Sequence, residues 1–142
     1  MHRFRYPVTL TPDQTDGGWV VTFADVPEAI TQGETVEECL EQAADCLEEA
    51  IAARIEDGMP LPEPSDAAVG QPSVDLPLQT ALKAALYLSA RESGVSKSEL
   101  GRRLAVDERE ARRILDPRYG TKLPTLERAL HALGKRVELR VE

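Results

Sequence analysis

Three arginines, Arg109, Arg112 and Arg113, crowd the end of the run SKSELGRRLAVDEREARRIL, residues 96–115. A guanidinium is a rigid fork of donors that matches the edge of a guanine or the oxygens of a phosphate. Arg109 and Arg112 stand three residues apart, so on a helix they share one face. That spacing suits a helix lying in the major groove of duplex DNA, where side chains near its N-terminus meet base edges. Glu108, beside them, can accept from a cytosine amino group. Arg113, Arg118 and Lys122 are expected to hold phosphates, with Lys97 and Ser98 at the start of the preceding helix.

Such a face needs two helices and a tight turn. Ser96 with Glu99, and Asp107 with Glu110, each set a side-chain acceptor ahead of a helix and an acid three residues on, a reciprocal capping pattern. Two helices then begin about eleven residues apart. Leu100, Leu104, Val106, Ala111, Ile114 and Leu115 can close a small core between them, and Gly101 lets the backbones approach. Ala105 stands where such a turn favours glycine, because the backbone there takes positive φ. Leu78 to Ala90 reads as a helix with Leu82, Ala85, Leu86 and Ser89 turned inward. Another starts near Pro124 and runs to Leu133, with Gly134 as its stop. Tyr87 and Tyr119 are expected to pack. The tail KRVELRVE alternates, with Val137, Leu139 and Val141 on one face, and predicts a C-terminal strand that mediates a homodimer or higher homo-oligomer. Its partner is expected to be Ser73 to Leu76, a second copy, or both.

Ahead of these helices the pattern changes. Residues 3–10 and 18–25 are rich in β-branched and aromatic side chains and flank TPDQTDGG, which predicts an antiparallel hairpin. Ala29 to Gln32 can add a third strand. Thr35 and Glu38 then cap a helix running to about Asp57, whose inward stripe is expected to be Val36, Leu40, Ala43, Leu47, Ala50 and Ile51. Cys39 and Cys46 fall within that helix roughly 10 Å apart, too far for a disulfide, and are expected to be reduced core fillers. Neither they nor His2 and His131 show metal-site spacing, so no metal or other cofactor is expected. Asp25, Glu28 and Glu34 lie in loops at one end of the strands, and Glu37 with Glu41 forms an i, i+4 acidic pair.

Charge divides the chain. Residues 1–65 hold fourteen acidic and three basic residues, a net −11, whereas residues 66–142 carry +3. An acidic half repels a phosphate backbone and attracts a basic protein, and a basic half does the reverse. Between them GMPLPEPSDAAVGQPSVDLP, residues 58–77, concentrates Pro and Gly. The division expected is an α+β fold: residues 1–65, a small antiparallel sheet with one packed helix; residues 66–77, a linker; and residues 78–142, an all-α helix-turn-helix domain with the terminal strand. No run approaches the roughly 20 apolar residues of a membrane span, so a cytoplasmic location without a membrane partner is expected.

The string GGWVVTFADVPEAITQGETVEECLEQAADCLEEAI resembles the HicB antitoxins, in its aromatic strand, its Asp and Pro, its T-Q-G-E-T turn and its acidic helix. SKSELGRRLAVDEREARRILDPRYGTKLPTLERALHALGKRVEL is similar to the helix-turn-helix extension of one HicB branch. The resemblance implies a reduced RNase H-like N-terminal fold and two partners. One is a small basic mRNA-cleaving HicA-like toxin, which the N-terminal half would neutralise, with Trp19, Asp25, Glu28, Glu34, Glu37 and Glu41 as candidate contacts. The other is operator DNA, through which the chain would repress its own operon. Two other readings stay open: a stand-alone regulator whose N-terminal domain senses a small molecule or a protein, and a metal-dependent nuclease built on Asp13, Asp16, Asp25 and Glu28. A lack of aromatics to line a ligand cavity disfavours the first, and no carboxylate spacing supports the second, so no enzymatic activity is expected.

Overall fold

A computed structural model describes residues 3–142. It divides into two compact units between Pro77 and Leu78. Drawn there, the charge division sharpens: sixteen acidic and three basic residues, −13, lie before the boundary, and nine acidic and fourteen basic, +5, after it.

The first unit begins with β1 (Arg5–Pro7), β2 (Thr9–Pro12), β3 (Trp19–Thr22) and β4 (Ile30–Gly33), followed by helix α1 (Val36–Glu56). Strands β2, β3 and β4 form an antiparallel sheet in that order, with Leu10, Val21 and Thr31 in register. The hairpin and third strand read from the sequence are therefore present. The expected first strand, however, breaks at Val8, so that β1 leaves the sheet and pairs with β5 (Ser73–Asp75). Val8 is fully buried, and its N–H donates to the Pro72 carbonyl.

Helix α1 opens on Thr35, whose hydroxyl accepts from the Glu38 N–H, and covers the sheet face that carries Val21. Its buried stripe is Cys39, Ala43, Leu47, Ala50, Ile51, Ala52 and Ile55. Val36, expected inside, is 44% exposed, and Leu40 is only half-buried. The seam enters at Cys39 because Gly33 has no side chain to hold the helix away. Both cysteines are free thiols, as expected, Cys39 buried and Cys46 partly so.

The Pro-rich run makes contacts within the first unit. The Tyr6 hydroxyl donates to the Pro62 carbonyl at 2.7 Å, Arg54 Nη1 to that of Pro60 at 3.3 Å, and the Ser65 N–H to Asp25 Oδ2 at 2.9 Å. Its last residues form β5. Proline cannot donate from its nitrogen but leaves its carbonyl free to accept, which suits a strap laid along the first unit.

The second unit packs α2 (Leu78–Ser93), α3 (Lys97–Leu104), α4 (Glu108–Leu115) and α5 (Leu123–Ala132) around one core. Leu82, Leu86, Leu100, Leu104, Ile114, Leu126, Ala129, Leu130 and Leu133 fill it, in agreement with the periodicity of the sequence. Within the single chain, residues 135–142 form no strand, which corrects the expected pairing with Ser73 to Leu76. Ser73–Asp75 pairs with β1 alone, and an alternating segment that meets no neighbouring strand has no ladder to form. Val137 leans on the core, whereas Leu139 and Val141 are 74% and 86% exposed. Among the described residues, no helix is long and apolar enough to cross a membrane.

Candidate nucleic-acid interface

Helices α3 and α4 meet through Ala105, Val106 and Asp107. The Ser96 hydroxyl accepts from the Glu99 N–H at 3.1 Å, and Asp107 Oδ1 from the Glu110 N–H at 2.8 Å, so both N-caps read from the sequence are formed. The expected return bonds are replaced by ion pairs. Glu99 takes Arg102 Nε at 2.9 Å and Arg103 Nε at 3.2 Å, and these bonds hold its carboxyl below the usual range. Glu110 lies 3.5 Å from Arg113.

The turn is built tightly. A Cβ on Gly101 would stand 3.0 Å from the Val106 carbonyl, so glycine is what admits the chain here. The Val106 N–H donates to the Gly101 carbonyl and the Ala105 N–H to that of Arg102, the Schellman closure of a helix. Ala105 adopts φ 56° and ψ 42°, the left-handed conformation, and is the sole non-glycine with positive φ among the described residues.

Helix α4 buries Ala111 and Ile114 and turns Glu108, Arg109 and Arg112 to solvent. Arg112 lies 3.7 Å from Glu108, whereas Arg109 has no carboxylate partner among the described residues. Arg113 is half-buried, its guanidinium 5.6 Å from the centre of the Tyr119 ring. Tyr119 is itself 46% exposed and packs as a platform for that cation; Tyr87 likewise carries Arg91, at 5.2 Å. Lys97, Ser98, Arg118 and Lys122 are all exposed. The eight expected DNA-facing residues thus lie on α3, on α4 and on the 116–122 loop.

What the pattern reading missed lies beneath them. Lys83 on α2 is fully buried, and its ammonium donates to the carbonyls of Ile114 (2.7 Å) and Arg113 (3.0 Å) and to the Thr121 hydroxyl (2.7 Å). One N–H serves each acceptor, and burial pulls its pKa down to about 8. One turn earlier, the Gln79 side chain donates to the Thr121 carbonyl at 3.0 Å and accepts from the Thr121 N–H at 2.9 Å. A signal existed, since a lysine three residues before Leu86 falls on the flank of an apolar stripe.

In the first unit the expected partner-facing acids separate into two groups. Glu28 and Arg54 form a forked ion pair, with Nη2 2.8 Å from Oε1, and that guanidinium holds the carboxyl below its ordinary range. Asp25 accepts from the Ser65 backbone and hydroxyl. Both acids have partners within the unit, and Glu28 keeps 44% of its side chain exposed. Beside them burial, then the charge of Asp25, pushes the Tyr6 hydroxyl up to about 12. Glu34, Glu37 and Glu41 face solvent, and Trp19 is half-buried opposite Gly33. Asp13 accepts from the N–H groups of Thr15 and Asp16. Among the described residues, no group of three or more His, Cys, Asp or Glu side chains is arranged to hold a metal ion.

Comparison with known proteins gives a consistent result. The family model of HicB-like antitoxins of bacterial toxin–antitoxin systems matches residues 5–85. Antitoxin HicB 1 of Photorhabdus laumondii is 41% identical, over 99% of this chain and 92% of its own length. Antitoxin HicB of Escherichia coli K12 is 39% identical, over 95% of this chain and 97% of its own. Antitoxin HicB of Pseudomonas fluorescens is 35% identical, over 96% of this chain and 94% of its own.

Proposed function

This chain belongs to the HicB-like antitoxin family, and from that premise we propose that it neutralises a small, basic, HicA-like mRNA-cleaving toxin and represses its own operon. The observation that carries the reading is the change of charge at Pro77, from −13 to +5. The first unit would hold the toxin. Complementary charge speeds encounter, and an apolar patch must supply much of the lasting affinity. Ile30, 60% exposed on edge strand β4, and Val36, at the start of α1, offer such a patch beside Glu34, Glu37 and Glu41. Asp25 and Glu28 support the scaffold, and Trp19 is accessible only in part.

The second unit would act as a helix-turn-helix. Arg109 and Arg112 read base edges, Glu108 accepts from a base, and Lys97, Ser98, Arg113, Arg118 and Lys122 engage phosphates. Two copies joined through Val137, Leu139 and Val141 would place two α4 helices on successive half-sites. The protein works by binding, in the cytoplasm, without catalysis or a cofactor.

Two measurements on the full chain test this. Fluorescence anisotropy should show binding to duplex DNA from upstream of its own coding region over a scrambled duplex of equal length. Co-expression should relieve growth arrest caused by a small basic protein encoded beside it. Equal affinity for both duplexes refutes the repressor role, and unrelieved arrest refutes the antitoxin role.

A further inference from the structure

We propose that exposed Gln79 and buried Lys83, one turn apart on α2, are positioning residues that hold the 116–122 loop as a second phosphate contact beside α4. The inference rests on the DNA-binding reading above and adds to it the element that makes the loop rigid. Two side chains one turn apart on α2 converge on a single loop residue. Gln79 meets the Thr121 backbone as a neighbouring strand would, one bond donated and one accepted, at 3.0 and 2.9 Å. Lys83 grips the Thr121 hydroxyl and, with its other two N–H groups, the last carbonyls of α4. Helix end and loop are therefore tied to the same ammonium.

The cations on this segment gain a fixed geometry from that tie. Arg118 and Lys122 flank Thr121, and Asp116 Oδ1 accepts from the Arg118 N–H at 2.9 Å, closing the loop at its other end. Tyr119, between them, carries the Arg113 guanidinium. A mobile loop would lose conformational entropy on meeting a phosphate, whereas a pinned one has already been ordered by folding. Gln79 and Lys83 touch no base, so their effect falls on affinity and its salt dependence and not on sequence preference.

The test uses full-length protein with the upstream duplex and a scrambled duplex, titrated across a series of salt concentrations. Gln79→Ala, an exposed position whose change the fold should tolerate, is compared with Arg118→Ala/Lys122→Ala and with the triple variant. Each phosphate contact contributes about 0.9 to the slope of log affinity against log salt. Gln79→Ala is expected to flatten that slope by about one to two and to weaken both duplexes by a similar factor, roughly ten-fold at moderate salt. In the Arg118→Ala/Lys122→Ala background it should cost nothing more. Thr121→Val, which keeps the side-chain shape but removes the hydroxyl, should move the slope in the same direction. Unchanged slope and affinity in Gln79→Ala overturn the inference alone, as does a loss confined to the upstream duplex or one that persists in the triple variant. If the unaltered protein does not prefer its upstream DNA, the repressor reading fails first and this inference with it.

Discussion

Gly33 and Cys39 meet where the sheet receives its helix: a Cβ on Gly33 would stand 2.9 Å from both the Sγ and the backbone nitrogen of Cys39. The contact sets which residues of α1 turn inward, since an approach this close is open only to glycine. Gly33→Ala should destabilise the first unit by about 2 kcal/mol, the cost of overpacking a tight contact, measured by urea denaturation. Adding Cys39→Ala should not restore the loss, because the backbone nitrogen is as close as the sulfur.

Ala105 holds a position that three other helix ends give to glycine. Gly58, Gly94 and Gly134 follow α1, α2 and α5 with φ of +67°, +67° and +77°. A left-handed alanine carries a steric cost of about 1 kcal/mol between its Cβ and its own backbone, offset in part by its smaller unfolded-state entropy. Ala105→Gly should therefore raise stability by up to about 1 kcal/mol in denaturant unfolding. A loss of stability would show that the methyl group makes a compensating contact.

Lys83 makes the second unit sensitive to alkaline pH. Its folded pKa of about 8 lies below the ordinary 10.5, so above pH 8 the unfolded chain holds a proton that the folded chain releases. Stability from this group therefore rises with pH between about 8 and 10, by no more than about 3 kcal/mol. Lys83→Met should abolish that rise in the difference between variant and parent. At pH 7 it should cost about 3 kcal/mol, because the Ile114 carbonyl and the Thr121 hydroxyl lose the ammonium and the Arg113 carbonyl keeps only the Asp116 N–H. Denaturation midpoints at pH 7, 8, 9 and 10 check both statements.

Changes at Arg109 and Arg112 are expected to separate the two proposed binding activities. Each changed to Ala should weaken binding to the upstream duplex by about 1 to 3 kcal/mol while leaving the scrambled duplex nearly unaffected. Arg109 should show the larger effect, since Arg112 already has Glu108 at 3.7 Å to satisfy it. Affinity for the toxin, measured by calorimetry, should not change in either variant.

Much of this protein was legible in one dimension because the signals are local. Caps at Thr35, Ser96 and Asp107 depend on a side chain and an N–H three residues on, and the stripe Leu126, Ala129, Leu130, Leu133 depends only on helical period. The outward arginines of α4 follow from that period, and the contrast of charge between the two ends is a matter of counting. Tertiary structure decided what depends on partners distant along the chain. It sent β1 to Ser73–Asp75, and it brought no strand beside the alternating tail within the chain, because a strand is defined by its neighbour. It joined Asp25 to Ser65 and Glu28 to Arg54, which no spacing announces. It buried Lys83 beneath α4, because three acceptors 30 to 38 residues further along the chain converge on it only once the helices have packed.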